Sequence, residues 1–183
     1  MKDNIINIKR LIEGKSTYPT WTTGSTHILK TKKSGKKLIV YYKTKSNRKI
    51  SRLFPKEIKL TSRLIYSLGI LIGEGATSIG KSNYRRFTLT NSNPRIIKVV
   101  LDELDRCGLF KRYDLNKRAI NLFHHKNSNK KVINYWSKNL DLPGDKFICY
   151  NHQKKTSPFG VCHVYISDVL LRRVVDLIQD KFL

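Results

Sequence analysis

Acidic side chains are scarce in this chain. Its 183 residues carry 37 Lys and Arg but only 13 Asp and Glu, a formal net charge of +24. The shortage is not confined to a tail: residues 1–59 hold 16 basic and 3 acidic side chains, and residues 60–183 hold 21 and 10. A lysine-rich coding bias would raise Lys everywhere but would not remove acids. Such a field repels itself in a compact monomer and attracts polyanions, so nucleic acid is the partner it implies. Cysteine is also sparse, at three residues. The start, Met1-Lys2-Asp3-Asn4, leads into a mixed segment without a long apolar region, so no signal peptide is expected. We therefore expect reduced thiols and a soluble intracellular protein of cytoplasm or nucleoid. No apolar run approaches the roughly 20 residues of a membrane helix. Nor does a basic amphipathic helix with a wide apolar face stand out, which argues against an anionic membrane surface. Residues 73–80 are glycine-rich but lack the lysine of a P-loop, which excludes that kind of nucleotide binding.

What is present divides the chain near Pro55. Residues 5–13 suggest a short helix, and two β-rich runs, 26–31 and 37–43, flank Lys32-Lys33-Ser34-Gly35 as a hairpin would. Residues 44–52 are polar and basic and suggest a turn or linker. The expectation is a small basic β-rich module and linker over 1–59, followed by a main domain over 60–183. In the main domain the elements alternate: a helix over 60–73, strands over 76–80 and 85–91, and a helix between Asn93-Pro94 and Gly108. Strands are expected over 110–115 and 119–124, then a helix over 130–140. Strands over 146–152 and 161–166 follow, and Ser167 is placed to cap a last helix over 168–182. This order, αββαββα followed by ββα, predicts an α+β fold with an antiparallel sheet and helices on one face.

The most informative stretch is Ser67-Leu68-Gly69-Ile70-Leu71-Ile72-Gly73-Glu74-Gly75. Gly69 and Gly73 are four apart, so they share a helix face that another backbone can approach closely. Glu74 falls at the helix end, where the dipole disfavours a negative charge. A cation or a function would account for it there. As a purely structural feature the stretch would be a buried helix ending at a glycine, with Glu74 solvated.

The nonapeptide resembles the LAGLIDADG motif of homing endonucleases. Gly69 falls on the first glycine of the motif, Gly73 on its second small residue, Glu74 on the catalytic acid and Gly75 on the final glycine. Ile72 departs from the pattern, standing where an inner Asp is common. The lead-in Phe54-Pro55-Lys56-Glu57-Ile58-Lys59-Leu60, the run from Arg63, and Phe159-Gly160-Val161-Cys162-His163-Val164-Tyr165-Ile166-Ser167 also look like the family. The resemblance covers residues 60–183 and implies a LAGLIDADG-like αββαββα unit with an extra ββα. Two motif helices pack together in this family, each supplying one acid. Only one copy is present here, so the resemblance implies a homodimer seamed by Ile65, Gly69, Ile72 and Gly73. It also implies double-stranded DNA of near-palindromic sequence as target.

Phosphodiester cleavage needs an in-line nucleophile and neutralised phosphate charge, which paired divalent ions supply. By resemblance Glu74 and the Gly73 carbonyl would be ligands of Mg²⁺ or another divalent cation. The family adds a basic residue near the attacking water; Lys117, Lys154 and Lys155 are candidates, with Lys154 taken as the catalytic one. Arg85, Arg86, Thr88 and Thr90 belong to a strand after the motif helix, and Thr88 and Thr90 should share a face with Arg86. With Lys81, Lys117, Arg118 and Lys155 they form the expected DNA-binding set, alongside Lys111 and Arg112 on neighbouring segments. Cys149 and His152 with Cys162-His163 suggest zinc, but adjacent Cys162 and His163 would point to opposite faces, and buried cysteines on paired strands explain them better. His124-His125 and Asn127 hint at an HNH nuclease without its spacing. Two readings stay open: a Mg²⁺-dependent homing-type endonuclease, or a catalytically inactive binding protein on the same fold, acting as a transcription regulator or intron-splicing helper. A third is an RNA-binding component of a ribonucleoprotein, led by the N-terminal hairpin.

Overall fold

The computed structural model describes residues 5–18, 25–73, 87–116, 119–125, 127–151 and 157–183. Among them the chain forms an α+β fold of five α-helices and three small sheets. It opens with strand β1 (Ile5–Asn7) and helix α1 (Ile8–Ile12). The expected helix over 5–13 is therefore shorter. Asn7 caps it by accepting from the Arg10 amide at 3.1 Å, which leaves the three preceding residues extended. They pair antiparallel with β5 (Glu57–Lys59).

A three-stranded antiparallel sheet follows: β2 (Lys30–Ser34), β3 (Lys37–Lys43) and β4 (Lys49–Pro55). Two expectations change here. The first strand starts later than residue 26, because the turn is only Gly35-Lys36 and Ser34 pairs with Lys37. Gly35 has φ +53°, the left-handed backbone that a two-residue hairpin turn favours. And half of the expected linker over 44–52 is strand: the turn ends at Arg48, whose amide bonds the Thr44 hydroxyl at 3.1 Å. Residues 49–55 then alternate, burying Phe54 opposite Leu38 while Arg52 pairs with Val40.

Helix α2 (Ser62–Gly73) leads into β6 (Phe87–Asn91) and α3 (Pro94–Arg106). The α3 boundaries are those the sequence predicts. Asn93 accepts from the Arg95 amide at 3.0 Å, Pro94 opens the helix and Gly108 lies just past its end. The strand expected over 110–115 is instead a 3₁₀ turn, Arg112–Asp114. Arg112 bonds Asp102 at 2.8 Å and Asp141 at 2.7 Å, and Lys111 bonds Asp105 at 2.7 Å. These ion pairs hold the segment against α3 and the end of α4 (Asn129–Leu140), and they occupy Lys111 and Arg112, which the sequence offered to DNA.

The remaining elements are β7 (Ile120–His124), α4 (Asn129–Leu140), β8 (Phe147–Asn151), β9 (Val161–Ile166) and α5 (Val169–Phe182). Asp168, not Ser167, caps α5, accepting from the Leu171 amide at 2.8 Å. The third sheet has four strands in the order β6-β9-β7-β8. It is not wholly antiparallel as expected: β7 and β8 run parallel because α4 crosses between them. Leu89, Ile120, Leu122, Val164 and Ile166 bury one face, where α3 and α4 pack.

Buried side chains before and after Lys59 belong to one hydrophobic cluster, from Ile6 and Phe54 to Trp136 and Ile178. Arg52 ties the two segments together. Its guanidinium pairs with Asp168 and donates to the Leu109 carbonyl at 3.0 Å. Tyr18 donates to Asp176 on α5, and burial together with that carboxylate raises its phenol to about 12. No helix among the described residues is long and apolar enough to cross a membrane.

Candidate nucleic-acid interface

Helix α2, which carries the nonapeptide as far as Gly73, is fixed at two points. At its start the Thr61 hydroxyl accepts from the Leu64 amide at 3.1 Å. That hydroxyl in turn donates to Glu103 on α3 at 3.2 Å. Arg106 completes the cluster, reaching the Glu103 carboxylate at 2.8 and 2.5 Å. Glu103 is wholly buried, and the Arg106 hydrogen bonds hold its carboxyl below the usual range. Near mid-helix, Gln179 of α5 donates to the Leu68 carbonyl at 3.0 Å.

The helix buries Leu64, Ser67, Leu68 and Leu71 and turns Ile65, Gly69, Ile72 and Gly73 outward. Ile65 is 38 % exposed and Ile72 46 %, with Tyr66 beside them at 61 %. Among the described residues, a Cβ built on Gly69 or Gly73 would meet nothing within 4 Å. The outward stripe is thus apolar, low and open over about two turns. The last turn of α2 contains no basic residue, so no side-chain cation of that turn offsets the partial negative charge at its carbonyl end. Glu74 lies outside the described residues.

The second feature is the uncovered-side chemistry of the four-stranded sheet. Strand alternation and register set Thr88 and Thr90 of β6 beside Tyr165 and His163 of β9. Asn121 and Phe123 of β7 continue the surface to Ile148 and Tyr150 of β8. Thr88 and Thr90 therefore share a face, opposite buried Leu89. The Thr90 hydroxyl lies 3.2 Å from His163 Nδ1, and the Tyr165 hydroxyl 3.4 Å from the same atom. Phe123 stacks on Tyr150 at 5.1 Å between ring centres and meets the His163 ring edge-on at 4.8 Å. Burial holds the His163 imidazole below its ordinary pKa, favouring the neutral form. The Thr88 hydroxyl is buried with no partner among the described residues. At the described positions this face bears hydroxyl, amide, imidazole and aromatic groups, with Ile148 and Val161 beside them, and no Asp, Glu, Lys or Arg.

Of the residues singled out from sequence, the structure brings Ile65, Gly69, Ile72 and Gly73 together on α2, and Thr88 with Thr90 on β6. Lys81, Arg85, Arg86, Lys117, Arg118, Lys154 and Lys155 lie outside the described residues, as does the strand expected over 76–80. The cysteines are not on paired strands: β7 separates Cys149 from Cys162, both of which register with Leu122. Cys162 is fully buried, which pushes its thiol well up, and its neighbour His163 faces the other way. No group of three or more His, Cys, Asp or Glu suited to a metal occurs among the described residues. His124 is on the packed face, bonding Asn129 at 2.8 Å through Nε2. Set against protein-family models, curated proteins and solved structures, the chain matches none.

Sequence reasoning missed Asn121, Phe123, Tyr150, His163 and Tyr165 as surface partners of the threonines. The signal was the alternation in Asn121-Leu122-Phe123 and Cys162-His163-Val164-Tyr165. What it could not supply was that β9 lies between β6 and β7.

Proposed function

We propose that the protein is a homodimeric, sequence-specific double-stranded DNA-binding protein of LAGLIDADG-like fold, acting as a divalent-metal-dependent homing-type endonuclease. The observation that carries this reading is the open apolar stripe of α2. Ile65, Tyr66 and Ile72 are exposed around two glycines that have no neighbour above them among the described residues. A second copy of the stripe across a two-fold axis removes that area from water, and the glycines let the helices approach closely. By the resemblance, the same axis would pair the Glu74 of each copy after the two helices. There Glu74 and the Gly73 carbonyl would hold Mg²⁺, and the unneutralised last turn of α2 suits a cation. When bound, the ion neutralises phosphate charge and activates water.

The neutral face of the four-stranded sheet reads bases. Asn121 can pair with adenine through two hydrogen bonds, and Thr88 and Thr90 can meet either a base edge or a thymine methyl. Arg85, Arg86, Lys81, Lys117, Arg118 and Lys155 flank these strands in sequence and supply phosphate or guanine contacts, with Lys154 as the basic residue near the attacking water. A protein that binds DNA without cutting it, as a regulator or splicing helper, uses the same dimer and the same sheet.

The test is selection from a random duplex library with and without Mg²⁺, repeated with Glu74→Gln, together with sedimentation of the free and DNA-bound protein. Expected are a dimer, enrichment of near-palindromes and cleavage that needs both metal and Glu74. Specific retention without cleavage supports the non-cutting reading, and preference for RNA the ribonucleoprotein one. A protein that stays monomeric on DNA rules out the shared α2 seam.

A further inference from the structure

The three-stranded sheet has an outer face that the DNA-reading assignment does not use. Register and alternation put Lys30 and Lys32 of β2, Lys37 and Lys43 of β3, and Lys49 of β4 on that one face. All five are exposed, and none forms an ion pair with a carboxylate among the described residues. The sequence makes this possible: no Asp or Glu occurs between Glu13 and Glu57. The opposite face is anchored by Leu38, Val40 and Phe54, each at most 3 % exposed, so the lysines stand on a fixed platform.

Two details indicate that the charge serves a ligand and not the fold. Lys43 and Lys49 are directly paired across the strands. Like charges in that position destabilise a sheet. Lys49 also lies over the Tyr41 ring, with Nζ 4.5 Å from its centre, which orients the ammonium on the surface. Along β2, Lys30 and Lys32 are two residues apart, about 7 Å in a strand. That is close to two base steps along one DNA strand.

We propose that this lysine face grips the phosphate backbone of duplex DNA without regard to sequence, as a second contact surface separate from the four-stranded sheet. The inference rests on the reading that duplex DNA is the ligand. Each phosphate neutralised here releases counterions, so the face contributes affinity and salt dependence but no discrimination between sequences.

The experiment compares two full-length variants of equal net charge. One carries Lys32→Gln, Lys43→Gln and Lys49→Gln. The other carries Lys130→Gln, Lys131→Gln and Lys138→Gln on exposed positions of α4, which packs behind the other sheet. Binding to a selected duplex and to a scrambled one is measured by fluorescence anisotropy across a salt series. Thermal melts verify that both variants fold. The first variant is expected to lower the slope of log K against log salt by about 2.7 on both duplexes, leaving their affinity ratio unchanged. The α4 variant is expected to change the slope by less than about 1.

Equal slope changes in the two variants overturn the proposal, because net charge alone then explains them. So does an unchanged slope in the first variant while the wild-type protein still binds DNA. Loss of binding only to single-stranded RNA, or only to vesicles of anionic lipid, assigns the face to those surfaces and overturns it as well. A wild-type protein that binds no duplex at any salt concentration defeats the reading beneath it instead, so the two failures are distinguishable.

Discussion

The two larger sheets solve opposite problems with the same strand geometry. Each buries one face in the common core. On its other face the four-stranded sheet carries Thr90, His163, Tyr165 and Phe123, linked by hydrogen bonds and a ring contact, with Asn121 in register beside His163. The three-stranded sheet carries five lysines, two of them directly opposed. One face is neutral at the described positions, with only the Thr88 hydroxyl buried without a partner among the described residues. The other is internally repulsive and would gain from an external anion. A net charge of +24 does not reveal this division. The distinction matters because phosphate contacts position a duplex while base contacts specify it.

The largest expected effect breaks the four-stranded side alone. Gly160 precedes β9 at φ +80°, and a Cβ there would lie 2.3 Å from the Phe123 carbonyl oxygen. Gly160→Ala should destabilise the protein by about 2–4 kcal/mol, combining left-handed backbone strain with overpacking. Chemical denaturation would measure it, and a loss under about 1 kcal/mol would mean the loop is free to move.

Next in size is the link through α3. Glu103→Gln should cost about 1–2 kcal/mol by weakening charge-assisted bonds from Arg106. Because the folded carboxyl titrates below its unfolded value, its stabilisation is full above the ordinary carboxylate range and is lost as pH falls through the folded pKa. Melts at acid pH should therefore separate wild type from variant less than melts at pH 7.

A third comparison tests reading against gripping. On the DNA-binding reading proposed above, Asn121→Ala should weaken binding to a selected duplex by about 1–3 kcal/mol. Binding to scrambled DNA should not change. Equal losses on both duplexes would place Asn121 in the phosphate-contacting class.

His163 offers a smaller, pH-dependent signal. Burial lowers its pKa, so the unfolded chain binds its proton first as pH falls. Stability from this group is intact above the unfolded value near 6.5 and declines below it, by at most about 1.4 kcal/mol per pH unit. His163→Gln should flatten that part of the profile.

The smallest effect has the opposite sign. Lys43→Thr should raise stability by a few tenths of a kcal/mol, up to about 1, by removing the repulsion with Lys49. A loss of stability in low-salt melts would show that the pair is not repulsive in the sheet.

Much of the local structure was legible because its causes are local. Asn93, Pro94 and Gly108 bracket α3 within a few residues of its ends, and the alternation of residues 161–166 reads directly as a half-buried strand. The errors occurred where distant side chains decide. A strand was expected over 110–115, yet Arg112 within it is claimed by Asp102 and Asp141. β4 looked like linker because Lys49, Ser51 and Arg52 are polar, and only pairing with β3 gives Phe54 and Arg52 a buried side. The candidate site divides likewise. Gly69 and Gly73 were legible as a pair by helical spacing, whereas the surface that joins Thr90 to His163 and Asn121 depends on a strand more than 70 residues away in sequence.

The sequence by itself determined the charge imbalance, the ends of α3 and the in-and-out alternation of residues 161–166. These follow from composition and from interactions spanning a few residues. Tertiary structure alone decided that β9 inserts between β6 and β7, that β7 and β8 run parallel, and that one sheet face collects lysines while the other stays neutral. Strand order is set by which buried faces fit one core. That choice is made between residues far apart in the chain, where no local rule reaches.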